Sequence, residues 1–381
     1  HPAGVEVQLG DPVVVALEEC EEILGEVLLV LRVQRADDAE IDGRVLRVLR
    51  VLDQVGDDQI VVFVRDSLLG LFAVLGELDG PITVAVEATL HWAWLNDRLV
   101  AQGYAVQVAD PGQVKLISKA RCKTDPIDAK KLADLLRSNL LPAIWVPDPT
   151  TRANRKLLRG YAFLVRIRTR IKNRVHAYLA EINLASPATD LFGKQGRIWI
   201  DSLTLPDEVR FQIDGLLELL DQLKIRIRKV AKRIEQRVDI TPEAQLLLTV
   251  PGIGAKTAML IMAEIGDLSR FPTSHHLTSF AGLVPTTRSS GGKTTHGSLP
   301  RAGSPWLRWA LVETTQTLKM KPGPVRAHFT RLTRAKGNSK ATVAAARKLC
   351  CYLFWMLKEG RTYPDWLQNR HSQPLLEVRP T

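Results

Sequence analysis

In Lys123-Thr124-Asp125-Pro126-Ile127-Asp128-Ala129 two carboxylates stand three residues apart at the start of a predicted helix. That spacing puts both acids on one helix face, with Asp125 at the N-cap, Pro126 as first helical residue and Asp128 near the positive end of the helix dipole. By itself such a start is an ordinary capped helix. Glu87 changes the reading. It closes the apolar run Ile82-Thr83-Val84-Ala85-Val86, and a carboxylate ending a buried strand needs a partner or a cation to offset its desolvation. The chemistry this pattern predicts is three acids converging on a divalent metal.

The elements that must position these acids are legible around them. The strand 82–86 leads into a helix carrying Trp92, Trp94, Leu95 and Leu99, then a strand at 105–108, a turn at Asp110-Pro111-Gly112, and the helix opened by Asp125. This β-α-β rhythm predicts an α/β domain with a mostly parallel sheet. From Arg152 to Arg174 the pattern is helical and basic, with Arg155, Arg159, Arg166, Arg170 and Arg174 beside an apolar stripe of Leu157, Tyr161, Leu164, Ile171 and Val175. Few acids balance that charge, so nucleic-acid backbone contact is preferred to a plain solvated face. After Pro206, Ile213, Leu216, Leu220, Leu223, Ile227, Val230 and Ile234 recur at spacings of three and four. This coiled-coil seam either pairs with the basic helix as an antiparallel arm or joins two subunits.

A third region starts near Thr241. Val250-Pro251-Gly252-Ile253-Gly254-Ala255-Lys256 reads as a turn between helices whose glycines let the backbone approach phosphate, with a plain helix connection as the alternative. The stretch Ser289 to Gly297, which includes Ser290 and Lys293, reads as a flexible, hydroxyl-rich linker. Helices are predicted over 305–318 and 341–357, and the tail from Pro364 is expected to be loosely held.

At 381 residues the chain has room for two or three domains. A net charge of +11 and a pI near 9.6 favour a polyanionic partner. The cysteines at 20, 122, 350 and 351 lack zinc spacing and read as reduced thiols of a cytosolic protein. The longest early apolar stretch, Ser67 to Gly76, is far short of the ~20 residues that span a bilayer, so membrane insertion and secretion are not expected. Residues 1–80 hold 6 basic and 17 acidic residues, while the other 301 carry 46 basic and 24 acidic. With the repeated Arg-Val-Leu phrases of residues 44–52, this break is read as an anomalous acidic segment in a non-native reading frame. The rival is an ordinary acidic α/β region.

Six phrases occur in an order and spacing that resembles the DEDD insertion-sequence transposases, a family related to the Piv DNA invertase that includes bridge-RNA-guided recombinases. They are Val86-Glu87-Ala88-Thr89, the Lys123 to Ala129 run, Val250 to Gly254, Ala281-Gly282-Leu283-Val284-Pro285, Ser290-Gly291 and Arg301-Ala302-Gly303-Ser304-Pro305-Trp306-Leu307-Arg308. The resemblance implies a RuvC-like, RNase H-type α/β domain (residues 81–150), a basic helical coiled-coil arm (151–240), a mainly α C-terminal transposase domain (241–360) and a tail (361–381). It implies that Glu87, Asp125 and Asp128 hold two Mg²⁺ or Mn²⁺ ions and that Ser290 is the nucleophile, with Ser289 a substitute. Gly252, Gly254, Lys256, Lys293 and Arg301 join the arm arginines as candidate nucleic-acid contacts. DNA, a structured guide RNA, a dimeric or tetrameric assembly and a cytoplasmic, nucleoid-associated location are what the resemblance implies. The first acid of the family pattern is missing: Gly4-Val5-Glu6-Val7 echoes its motif too early, and Asp37 or Asp38 fits only by distance. Metal-dependent strand cleavage and rejoining is the leading expectation; a binding-only remnant and a Holliday-junction nuclease are the alternatives.

Overall fold

The apolar residues of 82–86 form the middle strand of a small sheet. In a computed structural model of the chain, the described residues are 29–33, 47–51, 59–63, 71–72, 75–76, 82–117, 125–238, 241–290, 293–300 and 302–369. The chain divides between Val146 and Pro147 into two units.

In the first unit, β1 (Leu29–Val33), β2 (Arg47–Val51) and β3 (Gln59–Phe63) precede β4 (Ile82–Glu87), where Val84, Ala85 and Val86 are buried. Helix α1 (Trp92–Ala101) buries Leu95 and Leu99 as it carries the chain to β5 (Ala105–Ala109), which pairs parallel to β4 with Ala109 opposite Glu87. The other edge differs from expectation. β1 runs antiparallel to β4, and β2 and β3 form an antiparallel pair, so the sheet is mixed. The helical crossover fixes direction only between β4 and β5; alternation within an edge strand does not encode it. Asp110 does not sit in a simple turn. Its Oδ1 accepts from the amides of Gly112 (2.8 Å) and Gln113 (3.3 Å) at the start of α2 (Pro111–Ile117). Helix α3 (Asp125–Arg137) buries Ala129, Leu132, Ala133 and Leu136 in one cluster with Ala85, Ala109 and Val114.

The second unit opens with α4 (Pro149–Glu181), started by Pro149 at N1 and by Asp148, whose Oδ1 accepts from the Thr151 amide at 3.0 Å. That hydrogen bonding holds the Asp148 carboxyl below its ordinary pKa. Helix α6 (Asp207–Val238) returns alongside. Leu158 shares a core with Ile234 and Val238, while Ile171, Val175 and Leu179 share one with Ile213, Leu217, Leu220, Leu223 and Ile227, so the two helices pair antiparallel. The seam is therefore satisfied within one chain. Each fully buried Leu or Ile along it contributes roughly 1.5–3 kcal/mol, and α5 (Lys194–Ser202) closes the far end through Ile200.

The remaining helices are α7 (Pro242–Leu248), α8 (Ala255–Ile265), α9 (Ser274–Phe280), α10 (Pro305–Leu318), α11 (Pro324–Lys336), α12 (Asn338–Glu359) and α13 (Tyr363–Asn369). They pack around α12, whose Ala345, Leu349, Phe354 and Met356 are fully enclosed. Two expectations are corrected. The stretch read as a linker is a hairpin of β6 (Thr287–Ser290) and β7 (Lys293–His296), because paired Thr and Ser residues flank a two-glycine turn sequence. The chain after Pro364 is held as far as Asn369: Tyr363 is buried, its amide donates to Thr249 Oγ1 at 2.8 Å, and Trp366 lies 4.6 Å from the Tyr352 ring.

Candidate functional site

Glu87 ends β4 half-buried, on the same sheet face as Ala85, which belongs to the α3 cluster. Among the described residues its carboxylate has no side-chain partner. Asp128, in the first turn of α3, is 25% exposed and accepts from Lys131 Nζ at 2.9 Å. Asp125 begins the same helix, but its side chain lies outside the described residues, as do Glu6, Asp37 and Asp38. Among the described residues no three His, Cys, Asp or Glu side chains gather as a metal site. The donor chemistry of Glu87 and Asp128, all carboxylate oxygen, suits Mg²⁺ or Mn²⁺.

Ser290 belongs to the second unit. It is exposed at the end of β6, opposite Lys293, while Ser289 pairs with Thr294. The side chain of Lys293, and all of Arg301, fall outside the described residues. The hairpin has a built base. The Thr286 amide donates to Ser298 O (3.1 Å) and the Gly297 amide to Thr286 O (2.7 Å). Below it, the incoming and outgoing chains are tied: the Ser304 amide donates to Phe280 O (2.7 Å), and Arg308 donates through Nε to Ala281 O and through Nη2 to Ala302 O, both at 3.1 Å. Gly303 has φ +88°, and a Cβ there would lie 2.4 Å from Phe280 O, so only glycine fits.

The base is locked by Glu264, which the sequence reading did not single out. Glu264 is 4% exposed. Its Oε2 accepts from Ser304 Oγ at 2.8 Å, its Oε1 accepts from Arg159 Nη2 at 3.3 Å, and Arg155 Nε lies 3.9 Å away. Ser304 Oγ in turn accepts from the Leu307 amide and caps α10. The readable signal was a lone acid in the otherwise apolar run Ala258 to Ile265, since a buried carboxylate must be paired.

Arg155 is a correction among the arm arginines. Its Nε and Nη2 donate to Ala263 O (2.7 Å) and Glu264 O (3.1 Å), and Arg270 Nε donates to Ile265 O at 3.0 Å. Both satisfy carbonyls left open at the C-terminus of α8. Burial and the neighbouring Arg155 lower the Arg270 pKa to about 10, with its guanidinium stacked on Phe271 and Phe280. Periodicity could not reveal that Arg155 turns inward, because its acceptors are 108 and 109 residues away. Arg166, Arg170 and Arg174 are exposed, the first over Trp306 and the last over Tyr178. Arg159 keeps a half-exposed side chain besides its Glu264 contact. Gly252 has φ +93° and packs on Thr317, while Lys256 lies over the Tyr161 ring; Gly254 opens α8 without a side-chain cap.

Comparison with known proteins finds two matching segments, the first of which runs across the boundary at Val146 into the arm helix α4. Residues 55–184 match the DEDD transposase domain of IS110 elements, and residues 244–330 match the Transposase IS116/IS110/IS902 family. The first match begins ahead of the composition break at residue 80. An uncharacterized 43.6 kDa protein of insertion element IS110 from Streptomyces coelicolor is 26% identical, covering 74% of this chain and 80% of the relative. The transposase for insertion sequence element IS1328 from Yersinia enterocolitica is 27% identical over 74% of this chain and 86% of its own. The pilin gene-inverting protein of Moraxella bovis is 27% identical, with 73% and 80% covered. The class is thus that of enzymes of DNA transposition and recombination. Within it, the chain carries transposase domains of the IS110/IS116 family, over residues 55–184 and 244–330. Among the described residues no helix is long and apolar enough to cross a membrane.

Proposed function

We propose that this protein cuts and rejoins DNA with Ser290 as nucleophile and with Glu87, Asp125 and Asp128 as ligands of divalent cations. The observation that carries this reading is the presentation of Ser290: an exposed hydroxyl at the end of a short hairpin whose base is fixed by Gly303, Arg308 and the Ser304–Glu264 pair. A nucleophile must be reachable yet held, and a floppy linker would not hold it. Ser290 Oγ attacks phosphorus, the bond to the leaving sugar oxygen breaks, and the seryl phosphodiester keeps the bond energy until a new sugar hydroxyl reverses the step. Bound divalent cations would supply charge stabilisation at the attacking and leaving oxygens. The exposed arginines Arg166, Arg170 and Arg174 neutralise phosphates along the arm. The resemblance supports an RNA partner and a dimer or tetramer as further parts of this proposal.

Strand exchange on paired element ends with Mg²⁺ tests the reading. Ser290→Ala and Asp128→Ala are expected to abolish exchange, with Ser289→Ala active; full activity of the first two would remove the mechanism. The missing first acid favours one rival, a remnant that only binds. Salt-sensitive binding by the unaltered chain without any metal-dependent exchange would select it.

A further inference from the structure

Between Thr314 and Lys358 the chain contains ten Lys or Arg residues and no Asp or Glu. An ordinary solvated face interleaves both signs, so a run of this length with one sign demands a reason. Helix α11 stands in its middle. Val325 is buried and Phe329 and Leu332 are half-buried on the side toward α12, which leaves Arg326, Thr330, Arg331 and Arg334 facing solvent. These four residues, with Pro322, Gly323 and Ala327, line an open cleft of about 610 Å³. At 1.5 Å rise per residue, Arg326 and Arg334 lie two turns apart, about 12 Å along one face. Among the described residues none of the three arginines meets a carboxylate. Arg331 Nη2 lies 3.3 Å from His328 Nδ1.

We propose that the α11 face is a docking surface for the phosphate backbone of duplex DNA, separate from the Ser290 hairpin. The cleft lining contains no aromatic ring. Single-strand binding surfaces depend on aromatic platforms for base stacking, and sequence readout needs a reader element seated in a groove. A stripe of guanidiniums without rings suits phosphate oxygens of an intact duplex, contacted without regard to sequence. Lys348 on α12 adds a further positive charge near this face; burial first, and then Lys348 and Arg331, lower the His328 pKa to about 4.

This inference takes its choice of DNA from the proposed function, and its test reads equilibrium binding rather than strand exchange. Duplex affinity of the full chain is measured against salt for the unaltered protein, for Arg326→Ala/Arg331→Ala/Arg334→Ala and for the corresponding triple Lys variant. The alanine variant is expected to bind about tenfold more weakly at 100 mM salt. The slope of log affinity against log salt should fall by about 2.7, near 0.9 for each lost phosphate contact. The lysine variant, which keeps point charges, should restore most of the slope. A thermal midpoint unchanged by the substitutions confirms that folding is intact. Unaltered affinity and slope in the alanine variant would overturn the proposal, as would a loss confined to single-stranded DNA or RNA. A protein that binds through α11 yet shows no strand exchange counts against the Ser290 reading and leaves this one standing.

Discussion

Glu87 and Asp128 in the first unit, and Glu264 in the second, are acids in opposite circumstances. Glu264 is buried and has every oxygen engaged, by Ser304 Oγ and by Arg159, with Arg155 beside it. Glu87 and Asp128 are half-buried and sparsely met, Asp128 by one lysine of its own helix and Glu87 by no described side chain. A buried carboxylate with a hydrogen-bond donor at each oxygen is a structural joint. One with lone pairs left over is available to a cation, and full burial would forbid that availability without the cation in place.

The sharpest way to break this contrast is to remove each acid in turn. Glu264→Ala strands Arg155 and Ser304 in a buried setting and is expected to lower unfolding free energy by about 3–5 kcal/mol, read by denaturant titration. Asp128→Ala should change stability by less than about 1 kcal/mol, because it removes a single partly exposed i,i+3 pair within one helix. Equal stability losses for the two would erase the distinction. Next in size is Gly303→Ala, where a positive φ and a Cβ only 2.4 Å from Phe280 O are expected to cost roughly 2–3 kcal/mol and to shift the hairpin. The outcome is read as a lowered thermal midpoint together with slower strand exchange.

A smaller effect sharpens the same contrast within the arm. Arg155→Ala should destabilise by about 1–3 kcal/mol, since it leaves buried carbonyls of α8 unpaired, and leave the salt slope of DNA binding unmoved. Arg174→Ala should do the reverse, with stability within about 0.5 kcal/mol and a slope lower by about 0.9. The smallest effect is a pH dependence from His328. Its folded pKa of about 4 lies below the ordinary 6.5, so the folded state resists a proton that the unfolded chain accepts. Stability is therefore expected to be level above about pH 6.5 and to decline as pH falls toward 4, chiefly because the ring is buried and secondarily because Lys348 and Arg331 repel the added charge. His328→Gln should flatten the decline in thermal midpoint across that window.

Much of the secondary structure was legible because local chemistry dictates it. Pro149 after Asp148, Pro305 after Ser304, and the three-and-four spacing from Ile213 to Ile234 announce helices whatever they pack against. The hairpin of β6 and β7 was missed because four-residue strands of Thr, Ser and Arg have no apolar alternation. Their pairing depends on a base assembled from Phe280, Ser298 and Ser304. Helix α11 was passed over because its apolar stripe of Val325, Phe329 and Leu332 is short beside its charges.

The candidate site divides in the same way. Sequence alone supplied the acids at 87, 125 and 128, the serine before Gly291, the basic surplus of the chain and, through six ordered phrases, its family, because residue types and short spacings are local properties. Only the tertiary structure decided which charges face inward. Arg155 and Arg170 look alike along the chain, yet one closes the end of α8 and the other meets solvent. That choice depends on carbonyls and carboxylates more than a hundred residues distant, brought near by burial of the α4–α6 seam and the core around α12. Which groups lose water on folding is a property of the packed chain, and no spacing in the sequence records it.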